Sequence, residues 1–219
     1  MVNEQLRTRD IYDRRVLAAM ERVPRHLFVP PDYQHLAYQD GPLPIGENQT
    51  ISQPYIVALM TQMLELTGDE HILEVATGCG YQTAVLCELA KYVYSLERFP
   101  LLADHAAQTL SALNYQNVDL HIGDGSQGLA DMEPFDAIVV TAAAPSLPGP
   151  LCSQLHPEGG RLIIPVGTMR HQTLQVVHRH GDRYQVEQTI GVRFVPLVGR
   201  YGFKSETGDN AADSPSTTA

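Results

Sequence analysis

The sequence predicts an α/β fold: a mostly parallel sheet flanked by helices, with an antiparallel edge at its C-terminal end. Three observations carry this. Short apolar runs alternate with helical patterns from His71 to Leu155, as repeated βαβ units do. The first unit turns on glycines, in "HILEVATGCGYQTAVL" (71–86). After Gly167 the helical patterns stop, and "QTLQVVHRHGDRYQVEQTI" (172–190) reads as two strands joined at "HGDR".

The elements follow in order. "DIYDRRVLAAMERVP" (10–24) places Ile11, Val16, Leu17, Met20 and Val23 at helical spacing and ends at Pro24. The next stretch, 25–53, is rich in Pro, Gly, Tyr and polar residues and shows little regular period; long loops of this kind are usually functional. "PYIVALMTQMLEL" (54–66) is a helix with Pro54 in its first turn. Then come a strand "HILEVA", a helix "GYQTAVLCELAK", a strand "YVYSLE", a helix "PLLADHAAQTLSAL" and the strands "VDLHIG" and "FDAIVVTAA". A short helix at "PGPLCSQL" precedes the strand "GRLIIPVG", and "VRFVPLVG" (192–199) closes the ordered part. One domain is expected over 1–203, with N-terminal helices and an irregular segment in 1–66 and the α/β core in 71–203. The polar tail 204–219 is expected to be disordered.

Composition limits the partners. The chain has 219 residues, 43% of them hydrophobic, and 25 acidic residues outnumber 15 Lys and Arg, for a net charge of −10. Such a surface opposes non-specific binding to nucleic acid and to anionic membranes. Cys79, Cys87 and Cys152 form no CxxC pair, which suits a reducing compartment. Neither a signal peptide nor a 20-residue apolar span is visible. The expectation is a cytoplasmic, monomeric protein.

The glycine turn narrows the ligand. "GCGYQT" has Thr83 where the dinucleotide fingerprint needs a third Gly or Ala, and the chain has no P-loop lysine motif. Gly78 and Gly80 still allow close backbone approach to a ligand. Three acids lie near successive strand ends: Glu74, Glu97 and Asp124, the last followed by Gly125. An acid at Glu97 suits ribose hydroxyls, Asp124 suits an adenine amino group, and Glu74 suits a cation better than a pyrophosphate. Taken singly, each could be a solvated strand end, a turn former or a cap. Together they describe an adenosyl ligand with a cationic, phosphate-free tail, which S-adenosyl-L-methionine matches.

"LEVATGCGYQTAVL", "VYSLER", "NVDLHIGDG", "FDAIVVTAAAP", "LHPEGGRLIIPVG", "QTISQPY" and "VRFVPLV" resemble, in order and spacing, segments of the protein-L-isoaspartate (D-aspartate) O-methyltransferases. The resemblance spans about residues 3–203 and implies a Rossmann-like S-adenosylmethionine-dependent methyltransferase fold. It implies methyl transfer to the free carboxylate of L-isoaspartyl, and D-aspartyl, residues in damaged proteins and peptides. It also implies roles: Ser52 orienting the acceptor, Gln49 and Thr50 closing the pocket, and Gly78 and Gly80 bordering the methionyl and ribose parts. Glu97 would take the ribose, Asp124 the adenine amine, Thr141 and Ala142 would line the site, and Val195 would run along the peptide. Two positions depart from the family pattern. Ala76 stands where the family has glycine and is expected to avoid positive φ; Cys79 stands where it has serine. Val57 stands where some members carry His.

The residue types suit this chemistry. A carboxylate acceptor is ionised at neutral pH, so no general base is required and no Ser/His/Asp signature is needed. The protein has to desolvate the acceptor, align it and exclude water. Ser52 also stands just before a helix, where serine caps are common, so capping competes with the catalytic role. A hydrolase elbow is excluded because Asp124 replaces the first glycine of GxSxG in "DGSQG". No HExxH or comparable metal spacing occurs among the nine histidines. Methylation of another acid or a maturing peptide, and cofactor binding without catalysis, are the alternatives.

Overall fold

The computed structural model describes residues 1–204; the segment 205–219, most of the expected tail, lies outside them. The strands are β1 (Leu43–Gly46), β2 (Gln49–Ile51), β3 (His71–Val75), β4 (Tyr92–Glu97), β5 (Val118–Ile122), β6 (Ala137–Val140), β7 (Glu158–Gly167), β8 (Gln172–His180) and β9 (Arg183–Val192). The helices are α1 (Arg14–Arg22), α2 (Pro54–Met63), α3 (Tyr81–Cys87), α4 (Pro100–Ala112) and α5 (Gly149–Ser153). Seven strands form one sheet in the order β5-β4-β3-β6-β7-β8-β9. The pairs up to β6–β7 are parallel; β7–β8 and β8–β9 are antiparallel.

The order follows from which runs are apolar on both faces. In β6 all four residues are buried, and Ile72 to Val75 of β3 are too. Strands of that kind belong at the centre of a covered parallel sheet. β9 is exposed along most of its length and forms the edge. Two apolar clusters lie on the two faces. One joins Ile72, Val93 and Val139 to Val16, Val57, Val85 and Leu110 of α1–α4. The other joins Leu73, Val75 and Val140 to Leu151 and Cys152 of α5. Asp13 caps α1 by accepting from the backbone N–H groups of Arg15 and Val16, so the helix begins at Arg14. Among the described residues no helix is long and apolar enough to cross a membrane.

The N-terminal 66 residues hold structure that periodicity does not reveal. Val2–Leu6 form a π-helical turn that buries Val2 and Leu6. Within 25–53 there are two 3-10 turns, Arg25–Phe28 and Pro31–Leu36, and the antiparallel pair β1–β2. Gly46, Glu47 and Asn48, at φ of 99°, 49° and 55°, make the reversal between those strands. Ile45 and Ile51 turn inward. A three-residue strand is too short to show alternation, so this pair escapes sequence patterning.

Arg25 holds this cover down. It has no solvent exposure. Its Nε donates to the Ala37 carbonyl and its Nη2 to the Ser52 carbonyl, both at 2.7 Å, and the guanidinium lies 4.7 Å from the Tyr81 ring centroid. Carbonyl dipoles and an aromatic face thus serve where a carboxylate would be usual. Burial pulls the pKa of Arg25 below the ordinary arginine value.

The connection from β3 to α3 needs left-handed backbone at alternate positions. Ala76, Gly78 and Gly80 have φ of 73°, 58° and 86°. Ala76 therefore does not avoid positive φ, contrary to the sequence expectation. The turn imposes the conformation, because the Ala76 N–H is held by the Leu96 carbonyl at 2.8 Å and the Ala76 carbonyl by the Thr141 hydroxyl at 2.6 Å. A Cβ in that region costs roughly 1–2 kcal/mol, partly offset by the greater unfolded-state entropy of glycine. Ala76→Gly is expected to raise unfolding stability by about 0.5–1 kcal/mol, read from urea midpoints at unchanged slope; a lower midpoint would refute the strain.

Candidate active site

In open α/β sheets, ligands bind beyond the carboxyl ends of the strands, where the strand order reverses. Here the chain runs β3, β4, β5 outward, then returns with β6 on the other side of β3. Thr141, just past β6, ties the two strand ends together. Its N–H donates to the Val75 carbonyl at 3.0 Å and its hydroxyl to the Ala76 carbonyl. A pocket opens directly above. Nine of the twelve residues expected at the site line it: Gln49, Thr50, Ser52, Gly78, Glu97, Gly125, Thr141, Ala142 and Val195.

Glu97 organises the floor. It is buried at the end of β4. Its Oε2 accepts from the Gly78 N–H at 2.8 Å, and its Oε1 accepts from the N–H groups of Arg98 and Phe99 at 2.8 and 3.0 Å. Three of about four carboxylate acceptor sites are thus used, leaving capacity on Oε2 for one more donor. Gly125 packs against β3 so closely that a Cβ would collide with Val75. Leu96, Arg98, Phe99 and Leu197 complete the wall beside Glu97. Sequence reasoning missed these four; the run "LERFP" carried the only signal, an aromatic next to the strand-end acid.

Cys79 also lines the pocket. Burial pushes its thiol up to about 11, so at neutral pH it is a neutral wall and not a nucleophile.

Three expected residues stand elsewhere, and each has a structural task. Gly80 caps α3 in the left-handed region, and a Cβ there would come within 3.1 Å of Ala106 Cβ in α4; it admits close helix packing and does not line the pocket. Asp124 has both oxygens engaged. Oδ1 accepts from the Ser126 N–H and hydroxyl, and Oδ2 from the Arg200 N–H and Gln127 Nε2. It clasps the segment after Val198, which with Val195, Pro196 and Leu197 forms the opposite wall. These bonds hold its pKa below the usual aspartate value despite the opposing effect of partial burial. Glu74 lies inside β3, beneath the turn, with no solvent exposure.

The lining fits an adenosyl ligand without phosphate. Glu97 would take a ribose hydroxyl on its remaining acceptor site. The apolar wall of Leu96, Phe99 and Leu197 would take the adenine, and the turn from Ala76 to Cys79 would border the amino-acid tail. No lysine lines the pocket, and its single arginine, Arg98, stands beside Glu97.

A second cavity adjoins the first. It runs between Pro42–Ile56 on one side and the segments 170–173 and 191–195 on the other. Thr50, Ser52, Thr141 and Val195 line both cavities. Ser52 is half-buried at that junction. Capping does not compete for its hydroxyl, since Gln53 is the N-cap of α2 and makes no side-chain cap bond. Only the Ser52 carbonyl is anchored, by Arg25.

The model of the protein-L-isoaspartate(D-aspartate) O-methyltransferase family matches residues 1–202. The chain belongs to that family. The protein-L-isoaspartate O-methyltransferase 1 of Syntrophobacter fumaroxidans is 55% identical over 204 residues, covering 93% of this chain and 95% of that one. The protein-L-isoaspartate O-methyltransferase of Methanoculleus marisnigri is 50% identical over 206 residues, covering 94% and 93%. Among solved structures, one protein-L-isoaspartate O-methyltransferase superposes with a TM-score of 0.81 at 26% identity, covering 92% of this chain and 67% of that one. A Plasmodium falciparum protein of the same description, solved with S-adenosyl-L-homocysteine, gives 0.78 at 25% identity, covering 90% and 96%. In this isoaspartate methyltransferase family member, the residues common to pocket and groove come from the covering segment, the end of β6 and the stretch after β9.

Glu74 sets a pH dependence for the fold. Its Oε2 accepts from the Thr83 and Ser95 hydroxyls at 2.5 and 2.6 Å, and Ser95 Oγ lies 2.6 Å from Thr77 Oγ1. Burial raises the carboxyl to about 7 against those two bonds. The folded value is above the unfolded one, so this contribution is complete below about pH 4.5 and is lost as pH rises toward 7. At about 1.4 kcal/mol per pKa unit, the loss is roughly 3 kcal/mol. Glu74→Gln should flatten the decline in unfolding stability between pH 4.5 and 7; an unchanged slope would show that Glu74 titrates normally.

Proposed function

We propose that the protein transfers the methyl group of S-adenosyl-L-methionine to the free carboxylate of L-isoaspartyl residues in proteins and peptides, the first step of their repair. The observation that carries this is the seam at Ser52. One hydroxyl, free of capping, borders both the adenosyl-type pocket and the adjoining groove. The names of the relatives point the same way, and so does the S-adenosyl-L-homocysteine in the Plasmodium structure. The three cysteines are free thiols, and we assign the enzyme to the cytoplasm as a monomer.

The bound cofactor supplies an already activated methyl group. What remains is alignment. Glu97 would hold the ribose end, anchored itself by three backbone N–H groups. The Ser52 hydroxyl would donate to one oxygen of the acceptor carboxylate, directing the other toward the pocket. Thr50, Val195 and Thr141 would exclude water at the junction. No proton has to be removed from the acceptor, which explains a seam without a histidine or a free carboxylate.

The test uses methyl-labelled S-adenosylmethionine with matched peptides containing isoaspartate or aspartate. Base-labile label on the isoaspartyl peptide alone is expected. Equal label on both, or on neither while the cofactor binds, would overturn the reading. A hydrogen bond to a charged group is worth about 1.5–3 kcal/mol, so Ser52→Ala should lower kcat about 10- to 100-fold with little change in S-adenosylhomocysteine affinity. Glu97→Ala should weaken that affinity by a similar factor. Equal loss of affinity in both variants would refute the division of roles.

A further inference from the structure

The groove beside Ser52 differs in charge from the rest of the molecule. Among the described residues, its charged or titratable lining residues are Arg170, His171 and Arg193, and no Asp or Glu lines it. The chain as a whole carries 25 acids against 15 Lys and Arg, so a cationic groove runs against composition. Arg170 and Arg193 are exposed, and neither takes part in the ion pairs found among the described residues. Asp40, which accepts from Gln53 Nε2 at 2.8 Å, is paired with Arg9.

The two arginines are mounted on braced backbone. Arg170 lies in the turn from β7 to β8, where Thr168 Oγ1 accepts from the N–H groups of Arg170 and His171 at 3.3 and 3.1 Å. Arg193 follows β9. Its neighbour Phe194 exchanges two hydrogen bonds with the Gln172 side chain: the Phe194 N–H donates to Oε1 at 2.6 Å, and Nε2 donates to the Phe194 carbonyl at 3.2 Å. That clamp fastens the two arginine-bearing segments to each other. Ser52 and both arginines line the same groove, so an extended peptide presenting its acceptor at Ser52 would run past them.

We infer that Arg170 and Arg193 determine substrate specificity, selecting isoaspartyl sites flanked by acidic side chains. The inference rests on the proposed methyl transfer to isoaspartyl peptides and adds a sequence context to it. An exposed charge pair is worth up to about fivefold, so two pairs give up to about 25-fold, with about tenfold in the middle of that range. The opposing repulsion from the net charge acts over longer distances and is screened beyond about 10 Å at 0.1 M salt.

The experiment compares kcat/KM for isoaspartyl peptides whose neighbours on one flank or the other are two Glu, two Gln or two Lys, at 0.1 M and 0.5 M salt. The Glu peptide should exceed the Lys peptide about tenfold on at least one flank, with Gln between, and the ratio should shrink at high salt. The double variant Arg170→Glu/Arg193→Glu should reverse the order of the Glu and Lys peptides. A control, Arg14→Glu/Arg183→Glu, changes net charge equally at exposed residues outside the groove and should keep the wild-type order. No Glu preference on either flank, or equal effects of both double variants, would overturn the inference. Methylation of the Gln peptide shows independently whether the underlying reading stands.

Discussion

The architecture depends on one junction, the point where the chain returns from β5 to lay β6 on the far side of β3. Parallel strands that diverge in this way leave a crevice at their carboxyl ends. Thr141 fixes the crevice by bonding to two consecutive carbonyls of the opposite strand end. One of those carbonyls belongs to Ala76, which is thereby kept in the left-handed region. From there the chain passes through Gly78, whose N–H reaches Glu97 on the next strand. Three strand ends are thus joined through one threonine hydroxyl and one carboxylate, and the pocket is the space above them.

Two buried charge-bearing groups support the junction, in opposite ways. Glu74, under the turn, is held by hydroxyls and stays largely protonated below neutral pH because burial outweighs its hydrogen bonds. Arg25, over the turn, has carbonyl and aromatic partners and, among the described residues, no counter-ion. Isolated buried charge is costly, and such a group persists where many contacts over-determine its place. For Arg25 those contacts draw Ala37 and Ser52 of the covering segment onto Tyr81 of α3.

How far the sequence reveals this depends on the kind of signal. The central strands and α1–α4 were legible because burial imposes periods of 2 and 3.6 on long enough runs. The antiparallel edge was legible from "HGDR" and the lack of helical pattern after Gly167. The β1–β2 pair was not, since strands of three and four residues carry no period. At the site, Glu97, Gly78 and Gly125 could be placed because each ends a strand or lies in the turn after it; Thr141 followed only from the family resemblance. Glu74 and Asp124 are also acids near strand ends. Their true tasks depend on Thr83, Ser95 and Arg200, partners 9, 21 and 76 residues away, which no local pattern encodes. The φ of Ala76 was misjudged for the same reason: the bonds that impose it come from Leu96 and Thr141.

The two cavities touch only along Thr50, Ser52, Thr141 and Val195. On the proposed reading, donor and acceptor would occupy separate cavities that share these four residues. The acceptor's cavity carries exposed side chains, Arg170 and Arg193, along it. Nothing in that layout measures the bulk of what carries the acceptor. A hexapeptide and an intact protein present the same short stretch to that cavity. What the layout does demand is slack, because the stretch must leave its own fold to lie extended beside Ser52. Accessibility of the damaged segment, and not the size or shape of the damaged molecule, then becomes the gate to methylation.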